Sequence, residues 1–220
     1  NHPELGLIPP ANFIPLAEEM GLMVNLGEWV LNHACRQMKT WHDQGLTSLK
    51  VSINLSPQEF LKQQLVGKVK QVLLETGLPP QSLELEITES MTMDVIRSTS
   101  VLEDLSEIGI QIAIDDFGTG YSSLNYLKNF QIHRLKIDRS FIRDMMSGNK
   151  GEKIVETIIS IAHALNLKVI AEGVETEEQV HFLTSLNCDE IQGFYYSKPL
   201  SAKDFETKFV FNSSRGVIQL

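Results

Sequence analysis

Apolar and polar residues alternate in six short runs of the chain, and between those runs apolar residues recur at helical spacing. The runs are Lys50-Val-Ser-Ile-Asn-Leu-Ser56, Leu83-Glu-Leu-Glu-Ile-Thr88, Ile110-Gln-Ile-Ala-Ile-Asp115, Arg134-Leu-Lys-Ile-Asp138, Lys168-Val-Ile-Ala-Glu172 and Glu190-Ile-Gln-Gly-Phe194. Each predicts a strand. Helices are predicted over 58–76, 152–165 and 176–186, the first of them stopped by Gly77 and Pro79-Pro80. A short helix over 13–20 and a longer one over 26–44 precede the first strand.

Strands separated by helices imply parallel pairing, because each crossover returns the chain in the same direction. An open doubly wound sheet is covered on both faces and needs apolar residues at both parities. Here one parity is apolar, with Val51, Ile53, Leu55, Leu83, Leu85, Ile87, Ile112, Ile114, Leu135, Ile137, Val169 and Ala171. The other carries Ser52, Asn54, Glu84, Glu86, Asp115, Lys136, Glu172 and Gln192. The intervening helices argue against an antiparallel sheet with a solvated face. A barrel with chemically able side chains at its strand ends accommodates the division. Such a barrel has eight strands, and only six are visible. The stretch 201–211, with the tail 212–220, offers at most one weak strand.

Composition narrows the partners. A chain of 220 residues, 42% of them apolar, suits one α/β domain. A net charge of −9 without a basic stretch argues against DNA or RNA polymers as ligands. No run approaches the ~18 apolar residues that span a bilayer, and no signal pattern opens the chain. The domain is expected to be cytoplasmic and without direct membrane contact, while the parent protein is left open to membrane attachment. Cys35 and Cys188 lack metal-ligand spacing and read as reduced, structural thiols. The six histidines show no zinc-binding spacing.

The chemistry concentrates where Asp115 and Asp116 close an apolar run and open into Phe117-Gly-Thr-Gly-Tyr-Ser-Ser123. Paired acids at a strand end are too costly to bury without a cation, so a divalent ion is expected there.

Several long motifs in order resemble the EAL domain family, the cyclic di-GMP phosphodiesterases. They are Asn1-His-Pro-Glu-Leu-Gly-Leu-Ile-Pro-Pro10, Phe13-Ile-Pro-Leu-Ala-Glu-Glu19, Asn54-Leu-Ser56, Glu84-Leu-Glu-Ile-Thr-Glu-Ser90, DDFGTGYSS, KIDRSF, AEGVE and QGF. The resemblance implies an α/β fold, a modified TIM (β/α)8-type barrel whose first strand runs antiparallel, with six of its eight strands in this chain. The Glu-x-Leu that names the family lies on the second strand, just upstream of the segment that begins here at Asn1. Residues 1–211 are therefore expected to be an EAL domain lacking its first two strands, and 212–220 a tail or linker.

By the same resemblance Asn54, Glu86, Asp115 and Asp116 hold two Mg²⁺ or Mn²⁺ ions, with Asp115 bridging. Two ions roughly 4 Å apart can activate water and stabilise phosphoryl charge. An Asn at a strand end is otherwise a turn residue. Glu84 shares the face of Glu86, and one of the two is open to pairing with Lys50 or Lys136. Lys136 reads as a catalytic cation, with an ion pair to Asp138 or Asp116 as the alternative. Glu172 matches the family's general base, and Gly173 lets the chain turn behind it. Glu175 then either supports the site or begins a helix. Gln192 and Glu89 complete the binding residues. Gln192 reaches metal-bound water or substrate unless it is an ordinary buried amide, and Glu89 anchors the 117–123 loop.

The function implied is hydrolysis of cyclic di-GMP to linear pGpG by the parent domain, with this segment alone impaired. The alternative is a non-catalytic cyclic di-GMP receptor or dimerisation module. Proton abstraction on an enolase-like barrel is a remoter rival that gives the 117–123 loop no use. A homodimer, and sensory or GGDEF domains in the parent chain, are the expected partners.

Overall fold

A computed structural model describes residues 2–92, 95–120, 127, 130–147 and 149–210. The chain forms two compact units, Asn1–Leu135 and Lys136–Leu220.

The first unit contains α1 (Pro10–Glu19), α2 (Met23–Asp43), β1 (Val51–Asn54), α3 (Pro57–Phe60), α4 (Leu65–Thr76), β2 (Leu83–Thr88), α5 (Val95–Ile108) and β3 (Gln111–Phe117). Its strands pair in parallel, Val51 opposite Leu83 through Asn54 opposite Glu86, and Glu84 opposite Gln111 through Thr88 opposite Asp115. The apolar parity does what alternation demands: Leu83, Leu85, Ile87, Ile112 and Ile114 are all buried. Leu31, Cys35 and Met38 of α2, at helical spacing, bury with them, as do Val69, Val72 and Leu73 of α4. The first helix differs. No residue of α1 is buried; its Leu16 is exposed, as is Met20 just beyond it.

The amphipathic stretch 58–76 is two helices rather than one. Ser56 caps α3 through a capping box, its Oγ accepting from Glu59 N–H while its own N–H donates to Glu59 Oε2 at 3.0 Å. That cap also ends β1 at Asn54, shorter than the 50–56 run. Phe60 and Leu65 are both buried, yet five residues of continuous helix would set them about 140° apart. The break at 61–64 lets both reach the core.

β4 (Arg134–Ile137) crosses the boundary between the units. The second unit continues with α6 (Arg139–Asp144), α7 (Asn149–Ala164), β5 (Lys168–Glu172), α8 (Glu177–Ser185), β6 (Glu190–Gln192) and α9 (Ala202–Phe205). β5 and β6 are parallel, with Ile170, Ala171 and Glu172 opposite Glu190, Ile191 and Gln192. Val155, Ile159 and Ala162 of α7 bury with Val169 and Ala171 of β5. Asp138, read as a strand residue in the sequence, instead caps α6 by accepting from Ser140 N–H at 3.0 Å. Six strands and their intervening helices are thus found among the described residues, with every described ladder parallel. The tail 212–220 lies outside the described residues.

Two turns of the second unit lock together. Val174 N–H donates to Gln192 O at 3.1 Å and Tyr195 N–H donates to Val174 O at 3.0 Å. A Cβ on Gly193 would lie 2.0 Å from Val174 O and 2.3 Å from Val174 N. Backbone on both sides leaves nothing free to yield. Gly193→Ala is expected to destabilise the protein by about 1–3 kcal/mol, the range of an overpacked site, read as a lower urea midpoint.

Candidate active site

In the first unit the parallel register sets three oxygen-bearing side chains on one face. Asn54 of β1 lies opposite Glu86 of β2, and Glu86 lies opposite Ala113 of β3. Asp115 stands two residues beyond Ala113 and so shares its parity. Strand geometry separates the backbones of Asn54 and Glu86 by about 5 Å and sets Asp115 roughly 7 Å further along its own strand. Glu86 and Asp115 are 6% and 8% exposed, whereas Asn54 is exposed on the outer strand. Carboxylates this buried require compensating charge or hydrogen bonds.

Asp116 follows with φ at 54°, a left-handed backbone that Asp tolerates better than most residues. Its N–H donates to Asp115 Oδ1 at 3.0 Å, and its carbonyl accepts from Thr119 Oγ1 at 2.8 Å. The turn leaves Asp116 exposed. Glu89, in the turn Glu89–Thr92, is buried and its Oε2 accepts from Gly118 N–H at 3.1 Å, so the turn after β2 holds the start of the 117–123 loop. Residues 121–123 of that loop lie outside the described residues.

Beneath Glu86 on the same parity, Glu84 is held at both oxygens. Ser52 Oγ donates to Oε1 at 2.7 Å, and Arg134 Nη1 donates to Oε2 at 2.5 Å. Sequence reasoning offered Lys50 or Lys136 as partner and missed Arg134. The signal was available, since Arg134 sits two residues before Lys136 on the polar parity of β4.

In the second unit, Lys136 Nζ donates to Glu172 Oε1 at 2.7 Å, with Lys136 almost fully buried. The sequence had offered Asp138 or Asp116 as the ion-pair alternative for Lys136 and had not named Glu172. Glu172 is opposite Gln192 on β6, and Gln192 is exposed rather than a buried amide. Gly173 turns the chain behind Glu172 at φ 70°. Glu175 lies one residue before the Thr176 cap of α8 and is exposed, and its N–H donates to Gln179 Oε1 at 2.7 Å.

The donors Asn54, Glu86, Asp115 and Asp116 offer only oxygen, which fits a hard divalent cation of the Mg²⁺ or Mn²⁺ kind and not a soft metal. Thiols take no part. Cys35 and Cys188 are unbridged, and burial pushes each up to about 11. Among the described residues no helix is long and apolar enough to cross a membrane.

A profile of the EAL domain matches residues 1–199. The chain is 50% identical to the signaling protein YkoW of Bacillus subtilis (strain 168) over 205 residues, covering 93% of this chain and 26% of YkoW. It is 42% identical to the cyclic di-GMP phosphodiesterase PdeR of Escherichia coli (strain K12), covering 93% of this chain and 31% of PdeR. Against a solved structure of the PaMucR phosphodiesterase in complex with c-di-GMP, the TM-score is 0.90 at 48% identity, over 93% of this chain and 83% of that one. The chain thus spans under a third of the length of these two curated relatives.

The start of β3 rests on a histidine. Ile112 N–H donates to His133 Nδ1 at 3.2 Å, and His133 N–H donates back to Ile112 O at 2.9 Å. Burial first, and the neighbouring Arg134 next, hold His133 below its ordinary 6.5. A histidine whose folded value is depressed contributes stability that is present above 6.5 and lost as pH falls through that value toward the folded one. The urea midpoint is expected to drop over that window, and His133→Gln to flatten this part of the profile.

Proposed function

The chain belongs to the EAL domain family, and from that premise we propose that its parent domain hydrolyses one phosphodiester bond of cyclic di-GMP to give linear pGpG. The observation that carries the reading is the register placing Asn54 opposite Glu86 with Asp115 on the same face, an oxygen donor from each of three strands. The kinship with PdeR and with the PaMucR phosphodiesterase supports the same substrate.

In this proposal Asn54, Glu86, Asp115 and Asp116 hold Mg²⁺ or Mn²⁺. When bound, such cations neutralise phosphoryl charge and acidify water. The chain's own residues do the rest. Glu172 accepts a proton from the attacking water as its oxygen bonds to phosphorus, and the opposite P–O ester bond breaks, its oxygen leaving with the bonding pair and taking a proton from solvent to become the ribose hydroxyl. Lys136, bound to Glu172 Oε1, fixes the carboxylate's orientation and adds positive charge to the site. Gln192, level with Glu172 on the adjoining strand, donates to substrate or water. Glu89 keeps the loop after β3 in place. Sensory or GGDEF domains in the same polypeptide belong to the proposal as partners, consistent with the greater length of YkoW and PdeR, and so does a homodimer.

In the full-length protein with Mn²⁺, Glu172→Gln is expected to lower kcat by about 100-fold or more, the usual contribution of a general base, with nucleotide affinity retained. Chromatographic detection of pGpG reads the outcome. Tight binding of cyclic di-GMP with no pGpG from the unaltered protein would replace the enzyme by a receptor.

A further inference from the structure

The geometry points to Arg134 and Ser52 as positioning residues for the metal site: acting through Glu84, they set the spacing of Asn54 and Glu86. This inference rests on the metal reading above. Ser52 lies opposite Glu84 on the β1–β2 ladder, and one step along the same two strands, on the same face, Asn54 lies opposite Glu86. The hydrogen bond from Ser52 to Glu84 Oε1 is therefore a side-chain crosslink directly beneath the pair of ligands. Arg134 occupies the other oxygen, Oε2, reaching it past β3, which lies between β2 and β4 in the strand order. The Arg134 and Glu84 side chains are 8% and 3% exposed.

Energetics separates positioning from simple support. A buried ion pair is weak evidence of stability, because well-packed apolar residues of similar volume commonly serve as well, whereas removing one partner strands the other's charge. What an apolar pair cannot supply is direction. Both Glu84 oxygens are tethered from opposite sides, so the carboxylate cannot turn upward to compete with Glu86 for a cation, and β1 cannot slide against β2 without breaking the Ser52 bond. Partners that orient ligands from behind typically account for 10–100-fold in metal affinity. The arrangement also decides between the two glutamates of the Leu83–Thr88 strand: Glu84 is the brace and Glu86 the ligand.

The test compares Mn²⁺ affinity, by titration calorimetry on the metal-stripped full-length protein, with the thermal midpoint of the same metal-free samples. The double substitution Glu84→Leu with Arg134→Met removes both charges together. It is expected to leave the midpoint within a few degrees of the parent's while weakening Mn²⁺ binding about tenfold. Ser52→Ala, which removes only the crosslink to β1, is expected to weaken it in the same direction, by about threefold, and stands in should the double variant not fold. Arg134→Lys, which keeps the charge pair, is expected to remain within about threefold of the parent. Mn²⁺ affinity unchanged in the double variant and in Ser52→Ala overturns the positioning role. Asn54→Ala and Glu86→Gln distinguish the two failures. If they abolish binding while the brace variants do not, only this inference falls, and if they too leave binding intact, the metal reading falls with it.

Discussion

Buried carboxylates on the polar parity of a parallel ladder are the constraint to which the rest of the first unit answers. Glu84, Glu86 and Asp115 stand at 2%, 6% and 8% exposure on strands whose other parity is apolar as far as Ile87 and Ile114. The apolar side is what excludes water and makes those charges expensive. Each must then be met by a cation or a donor. Glu84 is met by Arg134 and Ser52, and Asp115 accepts from the Asp116 N–H. The second unit repeats the pattern with Lys136 against Glu172. Fold and chemistry are therefore set by the same alternation, one parity building the core and the other collecting the groups that do work.

Much of this was legible in the sequence because alternation in a strand is a local signal. The runs Leu83–Thr88 and Lys168–Glu172 coincide with strands, and the parity argument brought Asn54, Glu86 and Asp115 to one face before any register was known. Glycine and proline signals served equally well, as at Gly77, where α4 ends. Less legible were features decided at longer range. The 58–76 stretch has continuous helical character, yet the need to bury both Phe60 and Leu65 divides it. Lys50 and Lys136 were the partners the sequence offered for Glu84, and the fold supplies Arg134 instead. Periodicity ranks candidates for a charge without measuring the space between them. Gln192 shows the same limit, since its exposure depends on its place on a short strand rather than on its neighbours in sequence.

Caps and turns explain why the functional motifs extend beyond their functional residues. In Asn54-Leu-Ser56 the serine starts α3 and so fixes where β1 ends. In AEGVE the Val174 backbone binds both Gln192 and Tyr195, joining that motif to QGF by main-chain bonds. Gln179 then closes the box over Thr176 while its Nε2 donates to Ile142 O at 3.2 Å, fastening α8 to α6. Such residues shape the site through the chain they hold rather than through any atom they offer to a ligand.

The left-handed backbone at Asp116 carries an evolutionary corollary. Side chains that settle comfortably in that conformation are few, chiefly glycine, asparagine and aspartate. The alternative to a carboxylate that the main chain accepts most readily, asparagine, has nearly the same shape and no charge. Under the proposed metal role, asparagine at this residue would take one charge from the ligand set and leave the turn as it is, a narrow choice that a more permissive backbone would not impose.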